Sequence, residues 1–65
     1  MNQRQIEQAV GIDKQVAEYM MRSNTPQANS AMSLLKLAVD APEKVSIALL
    51  QEAVKDCKED INRNK

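Results

Sequence analysis

Residues 28–54, ANSAMSLLKLAVDAPEKVSIALLQEAV, decide the fold of this 65-residue chain. Aliphatic side chains dominate the segment on both sides of a single Ala-Pro step. The alternation of apolar and polar residues that indicates a β-strand is missing, and Gln, Ala, Glu, Lys, Leu and Met favour helix along the whole chain. The sequence therefore predicts an all-α fold in a single small helical domain, residues 1–65.

Two prolines indicate where helices begin. In SNTPQ, Thr25 is placed to cap a helix that has Pro26 at its first position, and in DAPEK Pro42 opens another helix. We predict three helices, at about residues 3–22, 26–40 and 42–62. The last two are joined by a very short connection, for which we favour an antiparallel hairpin. A single long helix that kinks at Pro42 is the alternative.

Gly11 and Asp13 disturb the first predicted helix. In one straight helix Asp13 would lie in the middle of the apolar face, where burial of an unpaired carboxylate is costly. We favour a kink at Gly11, because Asp13 then caps a new helix that begins at Lys14, with Ile12 and Ala17 as a hydrophobic staple. In the alternative, the helix continues and Asp13 faces a cationic group on a neighbouring molecule.

Residues 26–40 carry an apolar surface wider than one neighbour requires. The polar positions form one narrow stripe: Asn29, Ser33, Lys36 and Asp40. The apolar arc covers about 220° of the helix, whereas an ordinary surface helix needs little more than roughly 100°. We therefore predict that this helix packs on two sides, against the third helix and against either the first helix or another molecule.

The third predicted helix carries an apolar seam with the spacing of a coiled coil. Its members follow one another at intervals of 3, 4, 3 and 4 residues: Ile47, Leu50, Val54, Cys57 and Ile61. The seam has two interpretations of equal weight, a contact with another molecule and an intramolecular three-helix core. Cys57 is predicted to act as a small apolar residue rather than as a reactive thiol.

The length of the chain favours a partner. A domain of this size buries only about 60% of its unfolded surface. The single cysteine permits no internal disulfide, and the lack of histidine disfavours a transition-metal site. We therefore predict that the helical bundle is completed by a second copy of the chain or by a helical protein partner. The predicted interface consists of Met32, Leu35, Val39, Ile47, Leu50, Val54, Cys57, Ile61 and Asp13.

Composition argues against several classes of function. Nine basic and nine acidic residues are interspersed, so no basic face indicates nucleic-acid binding. A catalytic triad cannot form without histidine, and one glycine is too few for a phosphate-binding loop. We expect no enzymatic activity, no catalytic residue, no cofactor, no metal and no small-molecule ligand. A helix-turn-helix DNA reader that uses Lys44 and Gln51 is a further, less favoured alternative.

The role of the methionines has two interpretations. Core filling is favoured for Met20, Met21 and Met32, and an adaptable binding surface is the alternative.

The start of the chain and its apolar runs bear on where the protein acts. The polar start of the sequence indicates no signal peptide, and no uncharged apolar run approaches the roughly 20 residues that span a bilayer. We expect no membrane insertion and a cytoplasmic location, or incorporation into a cell-envelope machine without a signal peptide.

Residues 30–54 resemble the bacterial motility protein family, whose members are very short helical proteins. The resemblance rests on a Leu-Lys-x-Ala-x-Asp type core followed by an aliphatic helix. The matching residues are Leu34, Leu35, Lys36, Ala38 and Asp40, then Leu49 and Leu50. The resemblance implies a role in motility, with the flagellar apparatus as the expected assembly. It implies no defined biochemistry and no functional residue.

These observations favour a small, non-enzymatic helical protein that self-associates or docks into a bacterial assembly. The alternative is a small regulatory protein, such as a phage-type inhibitor or anti-repressor, that binds a single protein target. The two differ in stoichiometry, because an assembly component self-associates whereas a regulator forms a complex of fixed ratio.

Overall fold

The computed structural model describes residues 2–63, and these residues form four α-helices. The helices are α1 (Gln3–Val10), α2 (Lys14–Arg22), α3 (Pro26–Asp40) and α4 (Ile47–Arg63), with a short 3-10 turn at Pro42–Lys44. No strand occurs in this range. The predicted all-α class is therefore confirmed, and the predicted number of three helices is wrong.

The break between α1 and α2 follows from two local features of the chain. Gly11 ends α1 in the left-handed conformation with φ of 81°, and its N–H donates to the Glu7 carbonyl. The side chain of Asp13 then accepts a hydrogen bond of 2.9 Å from the Val16 N–H and caps α2. The predicted kink with an Asp13 cap is confirmed, and the alternative of one continuous first helix is wrong.

The start of α3 agrees with its sequence signals. The Thr25 hydroxyl accepts a hydrogen bond of 3.1 Å from the Ala28 N–H, and Pro26 is the first helical residue. Proline suits this position because the first N–H groups of a helix have no partner within the helix. The helix ends at Asp40, as predicted.

The last helix begins later than predicted. Pro42 opens only the 3-10 turn, and Val45 has an extended backbone and a buried side chain. The Ser46 hydroxyl then accepts a hydrogen bond of 3.1 Å from the Ala48 N–H, so Ser46 caps a helix that begins at Ile47. The prediction of a helical start at residue 42 is wrong because it overlooked this serine, which directly precedes an apolar run.

α3 and α4 form the antiparallel hairpin that the short connection predicts. The Cys57 thiol, in the second half of α4, donates to the Gln27 carbonyl in the first turn of α3, with 3.5 Å between sulfur and oxygen. The end of one helix thus adjoins the start of the other. The alternative of one long helix kinked at Pro42 is wrong.

All four helices contribute to one core. Its most deeply buried large side chains are Ile6, Val16, Leu50, Val54 and Cys57. α3 contacts α4 and also α1 and α2, so the second neighbour predicted for its wide apolar arc lies within the same chain. None of the helices in residues 2–63 is long and apolar enough to cross a membrane.

Candidate functional site: a methionine-lined groove

Two adjoining hollows lie between α1, α2 and α3, and together we call them the methionine groove. The larger hollow, of about 260 Å³, is lined by Gln3, Met32, Leu35, Lys36, Val39 and Asp40. The smaller hollow, of about 110 Å³, is lined by Gln3, Glu7, Ile12, Ala17, Met20, Met21, Met32 and Leu35. Three residues line both hollows and form the middle of the groove: Gln3, Met32 and Leu35.

The methionines of the groove differ in how far they are exposed. Met20 is buried in the core, Met32 is half-buried, and Met21 is 77% exposed at the edge of the smaller hollow. Their unbranched thioether side chains adapt to irregular surfaces. Core filling therefore holds for Met20, whereas Met21 projects an apolar side chain into water, as a binding surface would.

Charged side chains of both signs border the apolar floor. On α1, Glu7 accepts a hydrogen bond of 2.9 Å from the side-chain amide of Gln3. On α3, Lys36 and Asp40 are exposed one helical turn apart. An apolar centre with a polar, charged rim is the composition of many protein–protein contact surfaces.

Three of the predicted interface residues meet in this groove. Met32, Leu35 and Val39 all line the larger hollow. The sequence places them on one arc of a helix, but it does not show what faces them. Gln3 and Glu7, which complete the groove from α1, were not predicted, and no local signal in the first turns of the chain identifies them.

The middle of the predicted seam is occupied within the chain. Leu50, Val54 and Cys57 are each at most 1% exposed, and they pack against side chains from the other helices. A partner cannot reach these three residues while the chain keeps this fold. Ile47, at the start of the seam, is half-buried and also packs on the core.

The two remaining predicted interface residues lie elsewhere. Asp13 and Ile61 line a third hollow of about 240 Å³ between α2 and α4. The Asp13 carboxylate serves as the cap of α2. Lys58, which also lines this hollow, lies so close to Gly11 that a Cβ atom on the glycine would be 2.8 Å from the lysine Nζ. The Asp13 carboxylate thus has a hydrogen-bond partner within its own chain, the Val16 N–H.

A hydrogen-bonded series of side chains connects α2, α3 and α4. The Tyr19 hydroxyl donates to Asp60 Oδ2 at 2.5 Å and lies 2.9 Å from Thr25 Oγ1. Because Thr25 Oγ1 already accepts the Ala28 N–H, its own hydrogen can be donated to the tyrosine oxygen. Burial, and after it the hydrogen bond to Asp60, raise the pKa of Tyr19. The hydrogen bonds of the Tyr19 hydroxyl therefore connect three helices, and its raised pKa keeps the phenol protonated at neutral pH.

Cys57 lies near this series but does not present a reactive thiol. Burial, followed by the nearby carboxylates of Asp56 and Asp60, raises the pKa of the Cys57 thiol. The thiolate is the nucleophilic form of cysteine, so a raised pKa suppresses its reactivity at neutral pH. Across the described part of the chain, no group of three or more His, Cys, Asp or Glu side chains is arranged to hold a metal ion.

The two residues considered for a DNA contact lie on different elements, the 3-10 turn and α4. Lys44 belongs to the 3-10 turn that precedes α4. The side-chain amide of Gln51 donates a hydrogen bond of 3.2 Å to the Ala9 carbonyl, which lies in the last turn of α1 and has no partner within that helix. The helix predicted to carry both residues does not include the lysine.

Comparisons with family models, with curated proteins and with solved structures find no match to this chain. The resemblance of residues 30–54 to the bacterial motility protein family therefore stays a prediction from the sequence.

Proposed function

We propose that this chain is a non-enzymatic interaction module that binds a helical protein surface in the methionine groove. The observation that carries the proposal is the combination of an open apolar hollow of about 260 Å³ with a methionine, Met21, that is 77% exposed beside it. Apolar surface that is left open and rimmed by charged residues commonly marks a site of protein contact.

The energetic argument is that a partner side chain removes the floor of the groove from water. Complete burial of a Leu, Met or Phe side chain contributes about 1.5–3 kcal/mol. Met32, Leu35 and Val39 supply the wall against which such a side chain would pack. One anchoring residue in a hollow, with charged residues around it, is the usual distribution of binding energy at an interface.

The resemblance of residues 30–54 to the bacterial motility protein family supports a partner in a bacterial assembly, with the flagellum as the first candidate. In this proposal the module acts in the cytoplasm or within a cell-envelope machine. Deletion of the gene should then reduce swimming, and a chain with Met32→Glu, which places a charge on the groove floor, should fail to restore it.

A small regulatory protein with a single protein target is the second candidate. One observation favours it: the core closes within one chain, because α3 finds both of its neighbours among the chain's own helices. A chain that completes its core alone does not need an assembly in order to fold. The regulator would use the same groove and would form a complex of fixed stoichiometry.

Site-specific photo-crosslinking tests the proposal directly. A benzophenone amino acid replaces Met21 at the edge of the groove in one variant and Leu49 in a matched control. Leu49 is also an exposed apolar residue, 53% exposed, and it lines neither hollow of the groove. We expect a discrete protein adduct in the expressing cells from position 21 and none from position 49. An adduct from position 49 alone would overturn the proposal.

A further inference from the structure

We propose that the occupant of the methionine groove is a second copy of this chain, related to the first by a two-fold axis. The inference rests on the proposed function, because it names the partner of that same groove. It follows from two features that lie on one face of the molecule, an exposed side chain and a hollow that can receive it.

The layout of the groove suits two-fold symmetry. Gln3, Met32 and Leu35 form its middle, and the two hollows extend from that middle in different directions. A two-fold axis that passes through the middle, in the plane of contact and across the line that joins the two hollows, exchanges the ends, so that the smaller hollow of each copy faces the larger hollow of the other. Such an interface uses the same patch on both copies and closes without leaving an open end.

Met21 and the larger hollow are complementary in this arrangement. Met21 stands at the edge of the smaller hollow, so the axis brings it over the larger hollow of the second copy. That hollow measures about 260 Å³. By the same measure a cavity of about 10–15 Å³ already holds one water molecule, so the hollow has room for an extended thioether side chain. Each copy supplies one methionine and one hollow, and two equivalent contacts result.

The charges on the rim are complementary under the same operation. Glu7 lines only the smaller hollow and Lys36 lines only the larger one, so the two charges lie on opposite sides of the middle of the groove. The axis therefore brings Glu7 of each copy to the end of the groove at which Lys36 of the other lies, with Asp40 one turn beyond Lys36. The formal net charge of zero adds no long-range repulsion between copies.

The decisive experiment measures dimerisation of charge variants alone and mixed. Sedimentation equilibrium over a wide concentration range is applied to the unchanged chain, to Lys36→Glu, to Glu7→Lys and to an equimolar mixture of the two variants. The first variant carries only acids at the two positions and the second only bases. We expect each variant alone to dimerise about tenfold more weakly, since like charges then face each other. The mixture should recover dimers, because every facing pair regains opposite charges.

A chain that carries both substitutions separates this contact from an interaction within one molecule. If the two positions interact only within a chain, the doubly substituted chain regains the dimerisation of the unchanged chain and the mixture does not. That result overturns the proposal. Circular dichroism on each variant verifies that the helices persist. Dimers that are insensitive to both single substitutions would also overturn it, since another surface would then join the copies.

Met21→Ser and Leu49→Ser form a second matched pair. Both residues are exposed, so neither substitution should reduce helicity. We expect Met21→Ser to weaken dimerisation about tenfold, as expected for a residue that fills a central hollow, and Leu49→Ser to leave it unchanged. A chain that stays monomeric up to millimolar concentration overturns the proposal. In that case a position-21 photo-adduct with a different protein keeps the proposed function, whereas no adduct at all removes both.

Discussion

The hydroxyl of Tyr19 donates a 2.5 Å hydrogen bond to the carboxylate of Asp60, a residue 41 positions further along the chain. Tyr19 belongs to α2 and Asp60 to α4. The same hydroxyl contacts Thr25, the cap of α3, so a single phenol oxygen connects three helices. Tyr19 is also the only aromatic residue of the chain, so ultraviolet absorbance follows the ionisation of this one phenol.

Removal of this hydroxyl should reduce stability. Tyr19→Phe removes the bond to Asp60 and the contact with Thr25 while the ring is kept. A hydrogen bond to a charged group contributes about 1.5–3 kcal/mol, and partial exposure brings our expectation to about 1–2 kcal/mol. Urea unfolding monitored by circular dichroism measures the loss. Thr25→Ser, which keeps a capping hydroxyl, should cost clearly less, and an equal loss in both variants would contradict the account.

Alkaline pH should weaken the fold through Tyr19 and Cys57. Burial raises the pKa of each group above its ordinary value in the folded chain, so folding favours the protonated forms. The stabilisation from these protons is fully present below pH 9, and it is lost as pH rises through the folded pKa values. We expect constant stability from neutral pH to about pH 9 and a decline above it.

Tyrosinate absorbance isolates the tyrosine contribution, because no other tyrosine contributes to the signal. The titration midpoint of the folded chain should lie above that of the chain in urea. In Tyr19→Phe the alkaline decline should be smaller. A folded midpoint at or below the unfolded one would mean that the bond to Asp60 is not retained in solution.

Replacement of Gly11 should strain the turn between α1 and α2. Gly11 has φ of 81°, a conformation that costs a residue with a Cβ atom about 1–2 kcal/mol. An added Cβ would also displace the Lys58 side chain, whose Nζ would be 2.8 Å away. We expect Gly11→Ala to destabilise the chain by about 1–2 kcal/mol in urea unfolding. Gly11→Asn should cost less, because asparagine tolerates left-handed backbone better than alanine.

Substitution of Asp13 distinguishes two roles of this residue, a helix cap and a contact with a cationic partner. Asp13→Ala should cost about 1 kcal/mol, because the Val16 N–H loses its acceptor, whereas Asp13→Asn should be close to neutral, since asparagine caps equally well. Thermal unfolding measures both. If asparagine destabilises the chain as much as alanine does, the negative charge matters in itself, and a cationic partner becomes the better explanation.

Adjacent leucines in α4 provide a test of the core. Leu50 is fully buried and Leu49 is 53% exposed. Leu50→Ala should cost about 2–5 kcal/mol, because it removes buried methyl groups and leaves a cavity. Leu49→Ala should change stability by less than about 0.5 kcal/mol, as is usual for surface positions. Chemical denaturation of the pair checks the orientation of α4, and the reverse order would mean that the helix is rotated.

Local signals determined where the helices begin and end. Thr25 and Pro26 start α3, and Gly11 and Asp13 separate α1 from α2. These features were readable because each cap satisfies an N–H or carbonyl within a few residues of itself, so the interaction is written into a short stretch of chain. The start of α4 was predicted wrongly, at Pro42. The Ser46 cap is a local signal of the same kind, but Pro42 four residues earlier is itself a typical helix start.

The tertiary structure alone decided which surfaces meet. Three features join residues from different helices: the hydrogen bond from Tyr19 to Asp60, the hydrogen bond from Gln51 to the Ala9 carbonyl, and the methionine groove. The periodicity of one helix shows which of its faces is apolar, but not whether that face meets its own chain or another. That choice depends on how all four helices fill a common volume at close packing, and the residues that fill it come from the whole chain.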